Sequence, residues 1–150
     1  LVLQLMVISS LFRVSLLIFV LTISQSVLAD GLKPFTSDGC SSFPNGTREQ
    51  NDLWLACCTK HDFEYWKGGT FRERQLSDQA LKACVAKVGK PGIALLMLAG
   101  VRVGGSPFIP TKFRWGYGWP YPRLYGEHTE SELEQIERLS RHFKPNHEIP

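Results

Sequence analysis

Hydrophobic and polar positions fall into blocks along this chain, and each block has its own period. Val14–Ile23 is almost wholly apolar. From Asp30 to Gly46 the pattern dissolves into Gly, Pro, Ser and Asp, with turn chemistry at Asp38-Gly39 and Asn45-Gly46. Helical spacing then sets in. Cys57, His61 and Tyr65 stand four apart and share one face, with Cys58 and Asp62 on the stripe beside it. A second helical block carries Leu76, Ala80, Leu81, Cys84, Val85 and Val88. A third, Ile93–Val103, is short and apolar, and it predicts a helix packed on the first two. Pro107, Pro110, Pro120 and Pro122 then interrupt a run containing Trp115, Tyr117, Trp119, Tyr121 and Tyr125, so no long helix fits there. The chain ends on a narrow stripe of Leu133, Ile136, Leu139 and Phe143.

Capping residues set the expected boundaries. Thr47 with Gln50 predicts a helix over about Arg48–Trp66, stopped by Gly68-Gly69. Thr70 with Glu73 opens the next, which Gly89 and Pro91 end, and Thr129 with Glu132 opens the last. So short a connection makes the first two helices antiparallel neighbours. The expected fold class is all-α: an antiparallel two-helix core, further helices, and an irregular aromatic and proline-rich segment.

The apolar start changes the picture of the compartment. Arg13, the apolar run and Val27-Leu28-Ala29 have the order of a secretory signal peptide over residues 1–29. Left uncleaved, the same segment becomes a membrane anchor. Residues 30–150 then form a single domain, with 104–150 a C-terminal extension, in a secreted or periplasmic protein. The net charge of +3 drops to +2 without Arg13. No basic cluster accompanies it, so nucleic acid is not an expected partner, and a monomer is expected. All four cysteines lie after the leader, and an even count in an exported domain reads as two disulfides. Cys57 and Cys58 point in different directions and need different partners, which leaves two pairings with Cys40 and Cys84. Antiparallel register favours one of them. His61 lies about 6 Å along its helix from Cys57, and Asp78 about 9 Å from Cys84, so a Cys57–Cys84 bridge sets His61 near the level of Asp78.

A histidine held by a carboxylate is a general base of fixed orientation, and Asp78 is the natural holder of His61. Asp62 points instead toward the loop at Cys40. A carboxylate beside backbone carbonyls suits Ca²⁺, which takes oxygen ligands. Zinc on Cys57, Cys58 and His61 is the poorer alternative, because adjacent cysteines fit a tetrahedron badly. His128, His142 and His147 read as solvated, and Glu64 as facing away from the site. The rings from Phe113 to Tyr125 suit either a lipid boundary or a cover for the helix pair, and the cover is preferred.

Cys57-Cys58-Thr59-Lys60-His61-Asp62, with Tyr65 three further on, resembles the active-site helix of the secreted phospholipase A2 superfamily. The resemblance covers roughly Asp38–Val88. It implies that His61 activates water, that Asp78 orients His61, that Tyr65 supports Asp78, and that Asp62 binds calcium. It pairs Cys57 with Cys84 and Cys40 with Cys58. By position, Gly39, Ser41 and Phe43 would supply calcium-binding carbonyls, and the Ser41 amide would stabilise the oxyanion. The glycines usual in that loop are missing: the chain reads Gly39-Cys40-Ser41-Ser42-Phe43-Pro44-Asn45-Gly46. A bridge common in animal members is also absent, with Glu64 and Ser77 at its two places. The implied function is calcium-dependent hydrolysis of phospholipid esters at a membrane surface. The alternative is a catalytically silent module of the same fold that binds lipid or a protein partner.

Overall fold

The computed structural model describes residues 31–88, 90–141 and 143, so the expected leader, His142 and His147 lie outside the described residues. The chain divides into compact units at Gly31 and Leu32, and the second unit carries all that follows. It is all-α. Four helices follow in order: α1 (Leu55–Lys67), α2 (Phe71–Lys87), α3 (Pro91–Gly104) and α4 (Glu130–Ser140), with no strand among the described residues.

Two of the three expected capping boxes open helices. At α2, Thr70 accepts from the Glu73 amide while the Glu73 carboxylate accepts from the Thr70 amide. Thr129 and Glu132 do the same at α4. The third expectation is corrected: α1 begins at Leu55, seven residues after the expected start. Thr47 Oγ1 does accept from the Gln50 amide, but the Thr47 amide also donates to the Gln50 carbonyl, which closes a tight turn instead. Trp54 then ties the segment down, its indole donating to the Pro44 carbonyl and its amide to the Asn45 carbonyl. At the other end, α1 stops where Gly68 takes φ +70°, a left-handed conformation that favours glycine. A Cβ there would also stand 2.9 Å from Gly116 Cα, so the backbones meet at a point closed to any side chain.

Of the two pairings open to the sequence, the bridges are Cys40–Cys58 and Cys57–Cys84. They span 18 and 27 residues of chain. Loops of this size stabilise a fold by about 3 kcal/mol each, through restriction of the unfolded chain. Cys57 meets Cys84 while His61 meets Asp78, so residue numbers rise along α1 as they fall along α2. The two helices are antiparallel. Pro91 both prevents continuation of α2 and opens α3 at its first turn, where its missing N–H costs nothing. α3 packs along α2, sending Ala94 and Met97 against Leu81 and Val85.

Two apolar clusters result. The first joins Trp54, both bridges, Leu81, Val85, Ala94 and Met97. The second is aromatic: Trp66, Trp119 and Leu32, flanked by Phe35, Phe63, Ile136 and Leu139. Leu76, placed on the apolar face of α2 by its spacing, is instead 60% exposed, and its stripe belongs to Arg74, Asp78, Leu81 and Val85. The segment after α3 covers α1. Trp115 and Trp119 are buried, and their indoles donate to the carbonyls of Gly69, just past α1, and Lys67, its last residue. Tyr121 remains half exposed. On α4, Ile136 and Leu139 pack on the aromatic cluster, and Phe143 stacks on Phe63, whereas Leu133 faces solvent.

Candidate active site

A cleft of about 310 Å³ opens between α1, α3 and the loop at Cys40. α1 contributes Cys58, His61, Asp62 and Tyr65 to its lining. The loop contributes Gly39–Phe43, and α3 contributes an apolar wall that includes Leu96, Met97 and Val101. Phe113, from the segment after α3, completes it. The helical spacing of α1 is what aims these groups. His61 and Tyr65 are one turn apart, with their rings 4.2 Å between centroids, and Asp62 is rotated toward the loop.

Asp78 reaches the same place from α2 and is fully buried. Its Oδ1 lies 3.0 Å from His61 Nε2 and accepts from the Tyr65 hydroxyl at 2.8 Å. An ionised Asp78 selects the Nε2–H tautomer of His61 and leaves Nδ1 as the ring nitrogen available for chemistry. Burial, followed by the Asp78 charge, pushes the Tyr65 phenol up, so Tyr65 stays a donor. Gly105 leans against the Tyr65 ring, where any Cβ would collide with the hydroxyl.

Asp62 sits in a different environment. It accepts from Ser37 Oγ at 2.6 Å. Burial pushes its carboxyl up to about 7; the Ser37 hydrogen bond opposes that shift and the nearby Asp38 charge adds to it. Asp38 itself accepts from Ser41 Oγ and faces Lys112 Nζ at 3.6 Å. The Tyr117 phenol is also pushed up, by burial and then by the Asp62 and Asp38 charges, and it donates to the Thr36 carbonyl.

The loop has a definite path. Gly39 takes φ +76° and Ser41 φ +55°, the latter an uncommon left-handed conformation for a residue with a side chain. The Cys40 amide donates to Asn45 Oδ1, and the Phe43 amide to the Cys40 carbonyl. Thus the carbonyls of Cys40, Pro44 and Asn45 are used within the loop and by Trp54. Among the described residues, those of Gly39, Ser41 and Phe43 accept no hydrogen bond. Gly39, Ser41, Phe43 and Asp62 all line the cleft, and backbone carbonyls with a carboxylate are the hard oxygen donors that Ca²⁺ takes. No group of three or more His, Cys, Asp or Glu side chains that could hold a metal occurs among the described residues. The zinc alternative also lacks its thiolates, since Cys57 and Cys58 are both in disulfides.

Of the remaining expectations, that for Glu64 holds and that for His128 is corrected. Glu64 points elsewhere and pairs with Lys67 at 2.7 Å. His128, read as solvated, is part-buried, with Nε2 2.9 Å from the Lys67 carbonyl and its ring against Trp119. Two arginines escaped the sequence reading. Arg74 is 5% exposed, and its Nε donates to the Tyr65 hydroxyl at 3.0 Å. It also donates to the Val101 and Arg102 carbonyls at the end of α3 and to the Tyr125 hydroxyl. Arg102 brings Nε to 2.7 Å from Asp78 Oδ2. That approach is an ion contact without hydrogen-bond alignment, and among the described residues neither atom has another partner. A signal for Arg102 was present: it is the lone charge in an otherwise apolar helix, where a charge needs a partner. Arg74 stands one turn before Asp78 on the same stripe, a weaker hint.

No protein-family model, no curated protein and no solved structure matches the chain.

Proposed function

We propose that the chain is a phospholipase A2-like hydrolase that cleaves phospholipid esters with a calcium ion and an activated water. The observation that carries this reading is the His61–Asp78 pair at 3.0 Å, set in a cleft with an apolar wall and with Asp62 beside it. His61 Nδ1 takes a proton from a water, and that water attacks the ester carbonyl directly. Asp78 holds the imidazole by Nε2 and stabilises the imidazolium that forms, and Tyr65 fixes Asp78. The proton then passes from His61 to the departing alcohol oxygen, so the products are a fatty acid and a lysophospholipid, with no covalent enzyme intermediate. Calcium, held by Asp62 with the carbonyls of Gly39, Ser41 and Phe43, would polarise the ester carbonyl and take up its developing charge. The Ser41 amide is the assigned oxyanion donor.

The apolar wall suits an acyl chain, and the surface around it suits a bilayer. Leu96 and Phe113 line the cleft yet stay partly exposed, at 58% and 36%, and Leu95 and Val103 extend the apolar side of α3. No helix among the described residues is long and apolar enough to cross a membrane. Both disulfides support an exported chain, since such bonds persist in oxidising compartments.

The test is fatty-acid release from mixed phospholipid vesicles, with calcium or with a chelator. Release in calcium, loss in chelator, and loss in a folded His61→Gln variant are expected. Hydrolysis that survives His61→Gln sinks the mechanism. Vesicle binding with neither hydrolysis nor calorimetric calcium binding supports the silent lipid-binding module instead.

A further inference from the structure

Arg102 supplies something that the mechanism above does not name. Asp78 is fully buried, and both partners on its Oδ1, His61 and Tyr65, come from α1. Burial disfavours the charged form of a carboxyl that lacks a permanent cation beside it. Once protonated it holds an O–H donor of its own, and it no longer selects the Nε2–H form of the imidazole. Among the described residues, the one permanent cation in direct contact with Asp78 is Arg102, which comes from α3 and faces the otherwise unpartnered Oδ2. Arg74, on α2, touches Asp78 only through Tyr65. Its donation to the Val101 and Arg102 carbonyls ties down the turn from which Arg102 projects. Arg102 Nη2 also donates to the Gln75 carbonyl at 3.3 Å, so its guanidinium is held at two points on α2.

We propose that Arg102 is a positioning residue for the general base: its guanidinium holds Asp78 as a carboxylate, and so holds His61 as the Nε2–H tautomer with Nδ1 free. The kinetic part of this proposal rests on the hydrolase reading; the tautomer does not.

The experiment compares the full chain with Arg102→Gln and Arg102→Lys. It reads the His61 tautomer from imidazole nitrogen chemical shifts, and kcat and KM for vesicle hydrolysis in calcium. The parent should show the Nε2–H form. Arg102→Gln should shift His61 toward a mixture of tautomers and lower kcat about tenfold to a hundredfold, up to the low end of what a general base contributes. KM should stay within about twofold, because Arg102 does not line the cleft. Arg102→Lys, which restores a cation, should recover the tautomer and most of kcat.

A folded Arg102→Gln chain with an unchanged tautomer overturns the proposal. Should that variant not fold, Arg102→Lys decides: a folded Lys variant that loses the Nε2–H form shows that the charge is not what matters. A parent chain with the Nε2–H tautomer but no hydrolysis sinks the hydrolase reading and leaves the Arg102 assignment standing.

Discussion

The cleft is served by two carboxylates that differ in almost every physical respect. Asp78 is fully buried and surrounded by donors: His61 and Tyr65 on one oxygen, Arg102 on the other. Asp62 is adjacent to His61 in sequence, but it has one hydroxyl donor and a carboxylate neighbour. Asp78, on α2, is fixed by partners from two other helices and acts as structure. Asp62 is held in a place where its own charge is disfavoured, beside loop carbonyls that accept no hydrogen bond among the described residues. A carboxylate with its partners already present positions other groups. One that lacks them marks where a ligand gains most.

Breaking the first carboxylate should have the largest effect. Asp78→Asn removes the charge that orients His61 and leaves Arg102 without its ion partner. Hydrolysis should fall roughly a thousandfold in vesicle assays, the range expected when the holder of a general base is lost. Stability in urea should fall by about 3 kcal/mol, the low end for a broken buried pair, because Arg102 is a third exposed and can regain water. An Asp78→Asn chain as stable and active as its parent would erase the distinction drawn here.

Asp62→Asn should do the reverse to the fold. Calcium binding by calorimetry should be lost and hydrolysis with it, while stability in chelator at pH 8 stays level or rises, because a disfavoured charge has gone.

The pH dependence sharpens that contrast. With chelator present, the folded carboxyl of Asp62 sits near 7 against an ordinary value of 3.8. Between those values the folded chain keeps a proton that the unfolded chain releases, so stability falls as pH rises from about 4 to about 7 and then levels. Asp62→Asn should flatten that slope in urea titrations. A parent curve that rises through the same window would show that Asp62 is not the strained group.

The smallest effect serves as a control. Thr70→Ala removes the N-cap of α2, the helix that carries Asp78, and should cost about 1 kcal/mol by thermal unfolding. It touches neither carboxylate, so kcat and calcium affinity should hold. A large loss of activity would mean that Asp78 depends on the helix start and not on its own partners.

Much of the Asp78 side of this comparison was legible from the chain. Cys57, His61 and Tyr65 follow from a four-residue spacing, and the capping boxes at Thr70 and Thr129 are local signals that act within one turn. Antiparallel register then brings Asp78 opposite His61 with Cys84 opposite Cys57. The same local rule failed at Thr47. There the Thr47 amide found the Gln50 carbonyl, a rival bond over the same three residues, and Trp54 was drawn back to Pro44 and Asn45, beyond the reach of a single helical turn.

By itself, then, the sequence determined an all-helical, doubly bridged chain and the face of α1 that carries His61, because helix periodicity, caps and cysteine number act over a few residues. The tertiary structure decided the rest. It set how far α3 slides along α2, and that offset puts Arg102 on Asp78 Oδ2 and the Val101 and Arg102 carbonyls on the Arg74 guanidinium. It also turned the proline-broken aromatic segment into a lid of buried indoles over the end of α1. Such pairings join residues 24 or more positions apart, and they are fixed by packing and by the need of buried charges and N–H groups for partners.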